Sequence, residues 1–339
     1  MNWNKTKIQL ENGQDVDAQA PVIISASRST DIPAFYADWF FNRLEKGYSA
    51  WTNPFNGVKS YVSYKHTQLI VFWSKNPKPL LEYLPILKGK NIDTYIQYTL
   101  NDYVKEELEK GVPSLQERID TFKRLVDAAG FGKVIWRFDP MIQTDKISKD
   151  DLLKKAENIG NQLKGYTEKM VFSYADILSY RKVKANLEKN NINYIEFSEA
   201  DMDYLAQGLA RLNETWHFTL ATCGEKIDLG KYNIKHNKCV DDDLMIKYFP
   251  HNKALMDFLG VKIITGDLFG IETKMTRQPT KKDGGQRQFC GCMASKDIGE
   301  YNTCPHLCEY CYANASKETA LENWQQHKQN KFAETITGK

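Results

Sequence analysis

Hydrophobic residues in the first two thirds of the chain occur in short runs, and most runs precede a polar turn and a stretch with helical spacing of apolar positions. The runs are rich in β-branched and aromatic residues, which favours strands over helices. They predict six strands, at 22–26, 69–73, 94–99, 134–138, 171–174 and 217–221. A further run at 261–265 is a candidate seventh strand.

Three segments between these runs predict helices. Ser114 and Glu117 have the spacing of a capping box, which begins a helix that continues to Ala129 and ends at Gly130. The segments 150–163 and 199–212 show the same apolar spacing. Alternating strands and helices are typical of parallel sheets, because each parallel connection must cross the sheet. The predicted fold is α/β, a partial, TIM-barrel-like (β/α) barrel of about six parallel strands.

Two regions depart from this alternation. β-rich runs flank Asn56 and Gly57, which predicts an antiparallel hairpin inserted near 48–64. After residue 270 the chain becomes a basic, glycine-containing linker, then a cysteine-rich segment, then a helix at about 313–332. We therefore predict a barrel core at 1–270 and a C-terminal segment at 271–339 that folds onto it.

Polar residues follow the predicted strands, where the loops of a parallel β/α fold converge on its site. We expect Arg28, Lys75 and Arg137 to bind an anionic group of a substrate or cofactor. Asp31 and Asp139 would serve as their counter-charges or as proton carriers. A purely structural ion pair between Arg137 and Asp139 is the alternative.

Charge does not identify a partner, because 46 Lys and Arg residues nearly balance 43 Asp and Glu residues. The cysteines are more informative. There are seven, five of them within the 22 residues from Cys290 to Cys311. The odd count, the polar N-terminus and the lack of a long apolar run predict a cytoplasmic protein with reduced thiols and no membrane segment. In that setting, clustered cysteines are more often metal ligands than disulfides.

The most specific motif is CxxxCxxC, formed by Cys304, Cys308 and Cys311. Three thiolates on one loop can bind three irons of a 4Fe-4S cluster and leave the fourth iron open. The remaining four cysteines, Cys223, Cys239, Cys290 and Cys292, are as many as a second, fully ligated centre needs. That centre is either a second 4Fe-4S cluster or zinc. For Cys223 alone, an ordinary buried thiol is the alternative, and His306 and His236 are further possible ligands.

The motif resembles the signature of radical S-adenosylmethionine enzymes, in which the open iron binds the cofactor and reductive cleavage yields a deoxyadenosyl radical. The segments SASRSTDIPAFY, FWSKNP, WRFDP and QRQFCGCMASKDIGEYNTCPHLCEYCYAN resemble a bacterial domain-of-unknown-function family, number 1848. This resemblance implies an iron-sulfur protein with a radical S-adenosylmethionine-like core, distantly similar to the spore photoproduct lyase group. Tyr310, Arg137 and Asn101 would then contact the cofactor, with Tyr310 near its adenine.

Two features depart from the usual layout of that superfamily. The cysteine loop normally follows the first strand, whereas here it begins at Cys304, and no Gly-Gly-Glu segment is evident. A circular permutation would reconcile the first departure, because a predicted helix still follows the loop.

The leading functional hypothesis is an enzyme that receives electrons from a reductant such as flavodoxin or ferredoxin. It would act on an unidentified substrate, anionic or nucleotide-like. One alternative is a metal-stapled module that binds nucleic acid through Arg277, Lys281, Lys282 and Arg287, although the balanced charge does not favour it. Another is an iron-sulfur protein without radical chemistry, serving in electron transfer or using the open iron as a Lewis acid.

Overall fold

The computed structural model describes residues 3–53, 56–264, 274–277 and 282–338. Its strands are β1 (Lys5–Gln9), β2 (Asp15–Gln19), β3 (Ile23–Ala26), β4 (Tyr48–Thr52), β5 (Lys59–Ser63), β6 (Leu69–Ser74), β7 (Asp93–Thr99), β8 (Val134–Met141), β9 (Gln143–Thr144), β10 (Lys169–Tyr174), β11 (Tyr194–Ile195), β12 (Thr219–Thr222), β13 (Lys235–His236), β14 (Val261–Ile264), β15 (Lys274–Arg277) and β16 (Lys296–Asp297). Its helices are α1 (Ile32–Phe35), α2 (Ala37–Lys46), α3 (Leu84–Gly89), α4 (Leu115–Ala129), α5 (Lys149–Leu163), α6 (Arg181–Lys189), α7 (Glu199–Trp216), α8 (Asp242–Tyr248), α9 (Lys253–Phe258) and α10 (Lys317–Gln329).

An eight-stranded parallel sheet organises the described part of the chain, in the order β13-β12-β10-β8-β7-β6-β3-β16. The α/β prediction is confirmed, and all six predicted strands lie in this sheet. From β3 to β13 each strand is added beside the one before it, as crossover helices on a parallel sheet require. The two edge strands, β13 and β16, are not paired with each other among the described residues.

Two strands of this sheet lay beyond the sequence prediction. The sheet has eight strands rather than about six, because the two-residue strands β13 and β16 add one strand at each edge. The candidate seventh strand forms as β14, but it pairs antiparallel with β15 instead of joining the main sheet. Strands this short and polar carry no alternation that a sequence pattern can reveal.

The predicted hairpin is present as β4 and β5, which pair antiparallel. It belongs to a four-stranded sheet of order β1-β2-β5-β4, in which β2 pairs parallel with β5. The bond between Trp51 Nε1–H and the Gly299 carbonyl, 2.9 Å, ties β4 to the C-terminal cysteine segment.

The main sheet separates two apolar cores, because alternate residues of each strand point to opposite sides. One side, here called the helix face, carries Ile24, Phe72, Ile96, Trp136 and Phe172 and packs against the crossover helices. The other, here called the cysteine face, carries Ile23, Val71, Tyr95, Ile135 and Val171 and packs against Cys239, Cys290 and Cys292. Both faces are therefore buried, as the continuous apolar runs of these strands require.

The predicted helices form, and their starts have local causes. Ser114 Oγ accepts from the Glu117 N–H at the start of α4, and Gly130 follows the last residue of that helix. Ser148 and Ser198 form reciprocal capping boxes with Asp151 and Asp201 at the starts of α5 and α7. The C-terminal helix is shorter than predicted and begins after Ser316, because the residues before it belong to the cysteine loop.

Helix α10 packs against α1 through aromatic rings. The Trp324 ring lies 5.6 Å from Phe35 and 5.2 Å from Tyr36, and His327 stacks on Trp324 at 5.4 Å. His327 Nδ1–H donates to the Ile336 carbonyl at 2.9 Å, whereas the buried Nε2 has no partner among the described residues. The ring is therefore held as neutral imidazole.

This arrangement predicts a pH-dependent stability. Burial lowers the pKa of His327 below its ordinary value of 6.5, and the neighbouring charges of Asp38 and Lys331 oppose each other. The unfolded chain then binds the proton more readily, so the free energy of unfolding should fall as the pH drops below about 6.5. The variant His327→Gln should show a shallower fall in denaturant titrations, whereas the exposed His66→Gln should not. Equal slopes for all three proteins would contradict the prediction.

Candidate metal centres

Cys223 and Cys239 are fixed on the cysteine face by the strands themselves. Cys223 follows β12, and its N–H donates to the Phe172 carbonyl at 2.8 Å. The carbonyl of Cys239 accepts from Tyr95 Oη–H at 2.7 Å and from Gln97 Nε2–H at 2.9 Å. Both donors come from β7, so side chains of the sheet set the position of the loop after β13.

The loop at Cys239 is also joined to the segment at Cys292. Cys292 Sγ accepts from the N–H groups of Cys239 and Val240 at 3.1 and 3.4 Å. The Met293 N–H donates to the Val240 carbonyl at 3.0 Å. Hydrogen bonds with Cys239 and with the Val240 N–H lower the pKa of Cys292, but the hydrogen bond with Cys290 and burial outweigh them and raise it above its ordinary value.

The sulfur atoms form a connected series of contacts. Cys223 Sγ lies 3.5 Å from Cys239 Sγ, and the thiols of Cys239 and Cys290 both contact that of Cys292. The structure therefore brings together the four cysteines that the sequence grouped by elimination. We call these residues, Cys223, Cys239, Cys290 and Cys292, the four-cysteine set.

These thiols differ in acidity. Hydrogen bonding to Cys239 and burial raise the pKa of Cys223 well above its ordinary value. The hydrogen bond with Cys292 lowers the pKa of Cys290 to about 7. Because the pKa values of these neighbouring thiols differ this much, all of them become thiolates only when a cation binds. Binding of the cation therefore releases protons.

The spacing of the sulfur atoms bears on what the set can hold. Zn–S bonds of about 2.3 Å place the sulfurs of a tetrahedral zinc site about 3.8 Å apart. Among the described residues, no three cysteine sulfurs lie all within 4.8 Å of one another. Asp241, Asp242 and Asp243 do meet that distance, but Asp241 caps α8 and Lys238 pairs with the other two.

Arginines surround the four-cysteine set. Arg137 Nη1–H donates to Cys239 Sγ at 3.0 Å and to Gln97 Oε1 at 3.1 Å, and Nη2–H donates to Asp139. Ser173 also donates to Asp139. The predicted pair of Arg137 and Asp139 therefore forms, and its cation faces a cysteine sulfur.

The three cysteines of the CxxxCxxC motif occupy the loop that follows β16. Cys308 is buried and Cys304 and Cys311 are partly buried. Burial raises the pKa of all three thiols, and each lies close enough to another for their charges to interact. Asn314 closes the loop, since its Nδ2–H donates to the Cys304 carbonyl at 2.8 Å.

Two contacts of His306 fasten this loop to the residues after β3 and before α4. His306 Nε2 lies 2.8 Å from Asp31 Oδ2, and Nδ1 lies 2.9 Å from the Gly111 carbonyl. Both ring nitrogens therefore have a protein partner, and neither is available to a metal. A Cβ at Gly111 would lie 2.6 Å from the His306 carbonyl, so only glycine allows this approach. Asp31 also accepts from the Lys75 N–H at 2.7 Å.

A buried polar network lies beside Cys308. Glu109 accepts from Lys75 Nζ at 2.7 Å and from the Tyr310 hydroxyl. Tyr310 in turn accepts from Lys75 Nζ at 2.9 Å and from Asn101 Nδ2 at 3.1 Å. Arg118 lies 3.6 Å from Glu109, and neither side chain is exposed. Burial raises the pKa of Glu109, but Lys75 and Arg118 outweigh it and keep the carboxylate ionised.

The network accounts for three predicted site residues. Lys75 and Asn101, which follow β6 and β7, meet Tyr310 of the cysteine loop at one point. Their polar atoms are engaged with one another and with Glu109, a residue that sequence reasoning missed. No local pattern distinguishes Glu109 from its exposed neighbours in the segment before α4.

Asp297 on β16 is a second residue that the sequence did not single out. Its carboxylate accepts from Ser25 Oγ at 2.9 Å, Ser27 Oγ at 2.7 Å, and the N–H groups of Arg28 and Gly299 at 3.0 Å each. It thus fixes β16, and the cysteine loop after it, to the end of β3.

Replacing Asp297 with asparagine should lower the free energy of unfolding by about 1.5–3 kcal/mol, because an amide cannot accept from all four donors. Chemical denaturation of the variant measures the loss. Asp17→Asn removes an exposed ion pair with Lys7 and should change stability by less than about 1 kcal/mol. Equal effects of the two substitutions would contradict the anchoring role.

Three exposed tyrosines lie near the cysteine groups. Tyr180, Tyr301 and Tyr312 are 39%, 40% and 45% exposed, and the rings of Tyr180 and Tyr312 lie 6.2 Å apart. Burial, opposed by a hydrogen bond from Tyr174 N–H, raises the pKa of nearby Glu225 to about 7. No pattern in the sequence indicates the environment of this carboxyl group.

Part of the basic linker is engaged with the protein. Arg287 Nη2–H donates to the Cys223 carbonyl at 3.3 Å, and Lys282 Nζ donates to the Gln288 carbonyl. Lys281 lies outside the described residues, as does the side chain of Arg277.

The profile of the family described as Domain of unknown function (DUF1848) matches residues 23–313, from β3 to just beyond the cysteine loop. The chain belongs to the DUF1848 family. All seven cysteines of this DUF1848 chain lie within the matched range. A comparison with curated proteins finds no match. None of the described helices has the length and apolar character needed to span a bilayer.

Proposed function

We propose that the chain is an iron-sulfur enzyme of radical S-adenosylmethionine type. The observation that carries the proposal is the location of the CxxxCxxC loop. It follows an edge strand of a parallel sheet, β16, and precedes a helix, α10. The superfamily that the chain resembles has the same strand–loop–helix order, but there the loop lies near the N-terminus, whereas here it lies near the C-terminus.

We also propose that the parallel sheet is a permuted partial (β/α) barrel. The support for this proposal is the strand order. From β3 to β13 the strands of the main sheet lie side by side in the order in which they occur in the chain, and β16 pairs with β3 on its other side. In this arrangement β16 takes the place of the first strand. The strand order is therefore preserved even though the loop begins at Cys304.

The three thiols of the loop suit a cluster with one open iron. When bound, such a cluster would supply the electron that breaks a carbon–sulfur bond of S-adenosylmethionine, giving methionine and, with a hydrogen atom from the substrate, 5′-deoxyadenosine. Burial raises the pKa of Cys308 well above its ordinary value, and the nearby charge of Lys75 opposes that rise. Asp31 and His306 hold the loop in place, and Glu109 orients Lys75 and Tyr310.

The substrate is proposed to be anionic or nucleotide-like. Arg287 is an exposed cation beside Cys223, and its charge acts on both Asp139 and Glu225. Exposed tyrosines near it, Tyr180 and Tyr312, offer rings on which a planar group can stack. The four-cysteine set would hold a second metal centre next to Arg287.

The test is a reaction of the anaerobically purified full chain with dithionite and S-adenosylmethionine. Release of 5′-deoxyadenosine and methionine, in amounts that depend on both reagents, is the expected result. A protein that contains iron but releases neither product would instead favour non-radical electron transfer. A protein that contains only zinc would end the proposal.

A further inference from the structure

Two buried N–H donors beside the four-cysteine set lack an acceptor. Arg28 Nη2 and Trp73 Nε1 are buried and have no hydrogen-bond partner among the described residues. A buried donor left unsatisfied costs about 1–3 kcal/mol, so native proteins seldom tolerate one without a partner. Two such donors at one place indicate that an acceptor belongs there.

The two donors lie together, near the cysteines. The Arg28 guanidinium carbon is 4.9 Å from the Trp73 ring centre, and that of Arg137 is 5.2 Å from the same ring. Arg137 itself donates to Cys239 Sγ at 3.0 Å. Burial lowers the pKa of Arg28, but Asp297 and then Cys292 and Cys239 outweigh it, which shows that the two thiols are near.

The cysteine sulfurs nearest to these donors already have partners. Cys239 Sγ accepts from Arg137 and from Asn237 Nδ2, the latter at 3.1 Å. Cys292 Sγ accepts from two backbone N–H groups. A single zinc ion would add no acceptor, whereas an iron-sulfur cluster adds inorganic sulfides that accept hydrogen bonds.

The spacing of the sulfurs does not fit a single zinc ion. Neighbouring sulfurs are in contact, but no three of the four lie within 4.8 Å of one another, whereas a tetrahedral zinc site would place all four about 3.8 Å apart. In a polynuclear cluster the thiolates bind more than one iron, so they need not all lie within this distance of one another.

We propose that the four-cysteine set binds a polynuclear iron-sulfur cluster whose inorganic sulfides accept hydrogen bonds from Arg28 and Trp73. The inference deepens the proposed function and shares with it only the premise that the chain carries iron-sulfur clusters. Hydrogen bonds to cluster sulfur stabilise the reduced, more negative state, so both donors raise the reduction potential of this cluster.

The first experiment isolates this centre. The full chain with Cys304→Ala, Cys308→Ala and Cys311→Ala is purified anaerobically and its iron, acid-labile sulfide and zinc are measured. About four irons and four sulfides per chain are expected. One zinc without sulfide overturns the proposal. If the triple variant does not fold, Cys290→Ala in the otherwise intact chain should lose about half of the iron, and loss of zinc alone overturns the proposal.

The second experiment tests the donors. Trp73→Phe and Arg28→Gln are each expected to shift the midpoint potential of this cluster to a more negative value, measured by a dithionite titration followed by electron paramagnetic resonance. Trp216→Phe is the matched control, because Trp216 Nε1–H already donates to Asn161 on the helix side of the sheet. Unchanged potentials in both Trp73→Phe and Arg28→Gln overturn the role of the donors.

These readouts are independent of the reaction at the other centre. A chain that holds both clusters but releases no 5′-deoxyadenosine would overturn the proposed function and leave this inference standing. A chain that releases 5′-deoxyadenosine while holding zinc in the four-cysteine set would overturn this inference and leave the proposed function standing.

Discussion

Replacement of Cys308 by alanine is expected to abolish the release of 5′-deoxyadenosine and to remove about half of the iron. Cys308 is the buried central cysteine of the loop, and the two thiolates left in the variant would not hold the proposed cluster, which needs at least three protein ligands. The four-cysteine set is assembled from other segments and should keep its metal. Iron analysis and product chromatography on the same preparation measure both effects.

Glu318→Gln is a suitable control for this substitution. Glu318 lies at the start of α10, close to the loop in sequence, and its side chain is 72% exposed. Its iron content and product release should match those of the unmodified chain. If Cys308→Ala retains full iron and full product release, the loop is not the catalytic centre.

Replacement of Glu109 by glutamine is expected to lower the free energy of unfolding by about 3–5 kcal/mol, because it leaves the buried cations of Lys75 and Arg118 without their counter-charge. Glutamine has nearly the same shape as glutamate, so the effect reports charge rather than packing. Lys75 and Tyr310 should also lose their fixed positions, which would reduce iron retention at Cys308. Guanidinium chloride titration and iron analysis measure the two effects.

The exposed pair of Lys78 and Glu117 provides the comparison. Its side chains are 50% and 51% exposed, so Glu117→Gln should cost less than about 1 kcal/mol. A small effect of Glu109→Gln would show that the buried network does not depend on its carboxylate.

The central strands could be predicted because both faces of the sheet are buried. A strand such as β6, Leu69–Ser74, must then be apolar on both faces, and its first five residues form a clear apolar run in the sequence. The helices α4, α5 and α7 were also predictable, from their apolar spacing and, for α4, from the capping box of Ser114 and Glu117. In these elements local signals and the final packing agree.

The edges of the sheet carried no such signal. Strand β16 consists of Lys296 and Asp297, whose pairing with β3 depends on hydrogen bonds to Ser25 and Ser27 far away in sequence. The same reason explains why Asp297 and Glu109 were missed. Their importance comes from partners that only the folded chain brings close.

The grouping of the cysteines could be predicted from the sequence, but their surroundings could not. Counting them was enough to divide seven into three and four, and the fold brings each group together. The donors Arg28 and Trp73 could not be assigned from sequence, because an unsatisfied N–H group is a property of the packed structure.

The central claim is most directly tested by the metal content of the full chain purified without oxygen. We expect a brown protein with about eight irons, about eight acid-labile sulfides and no stoichiometric zinc per chain. A colourless protein with zinc and no sulfide would contradict the account.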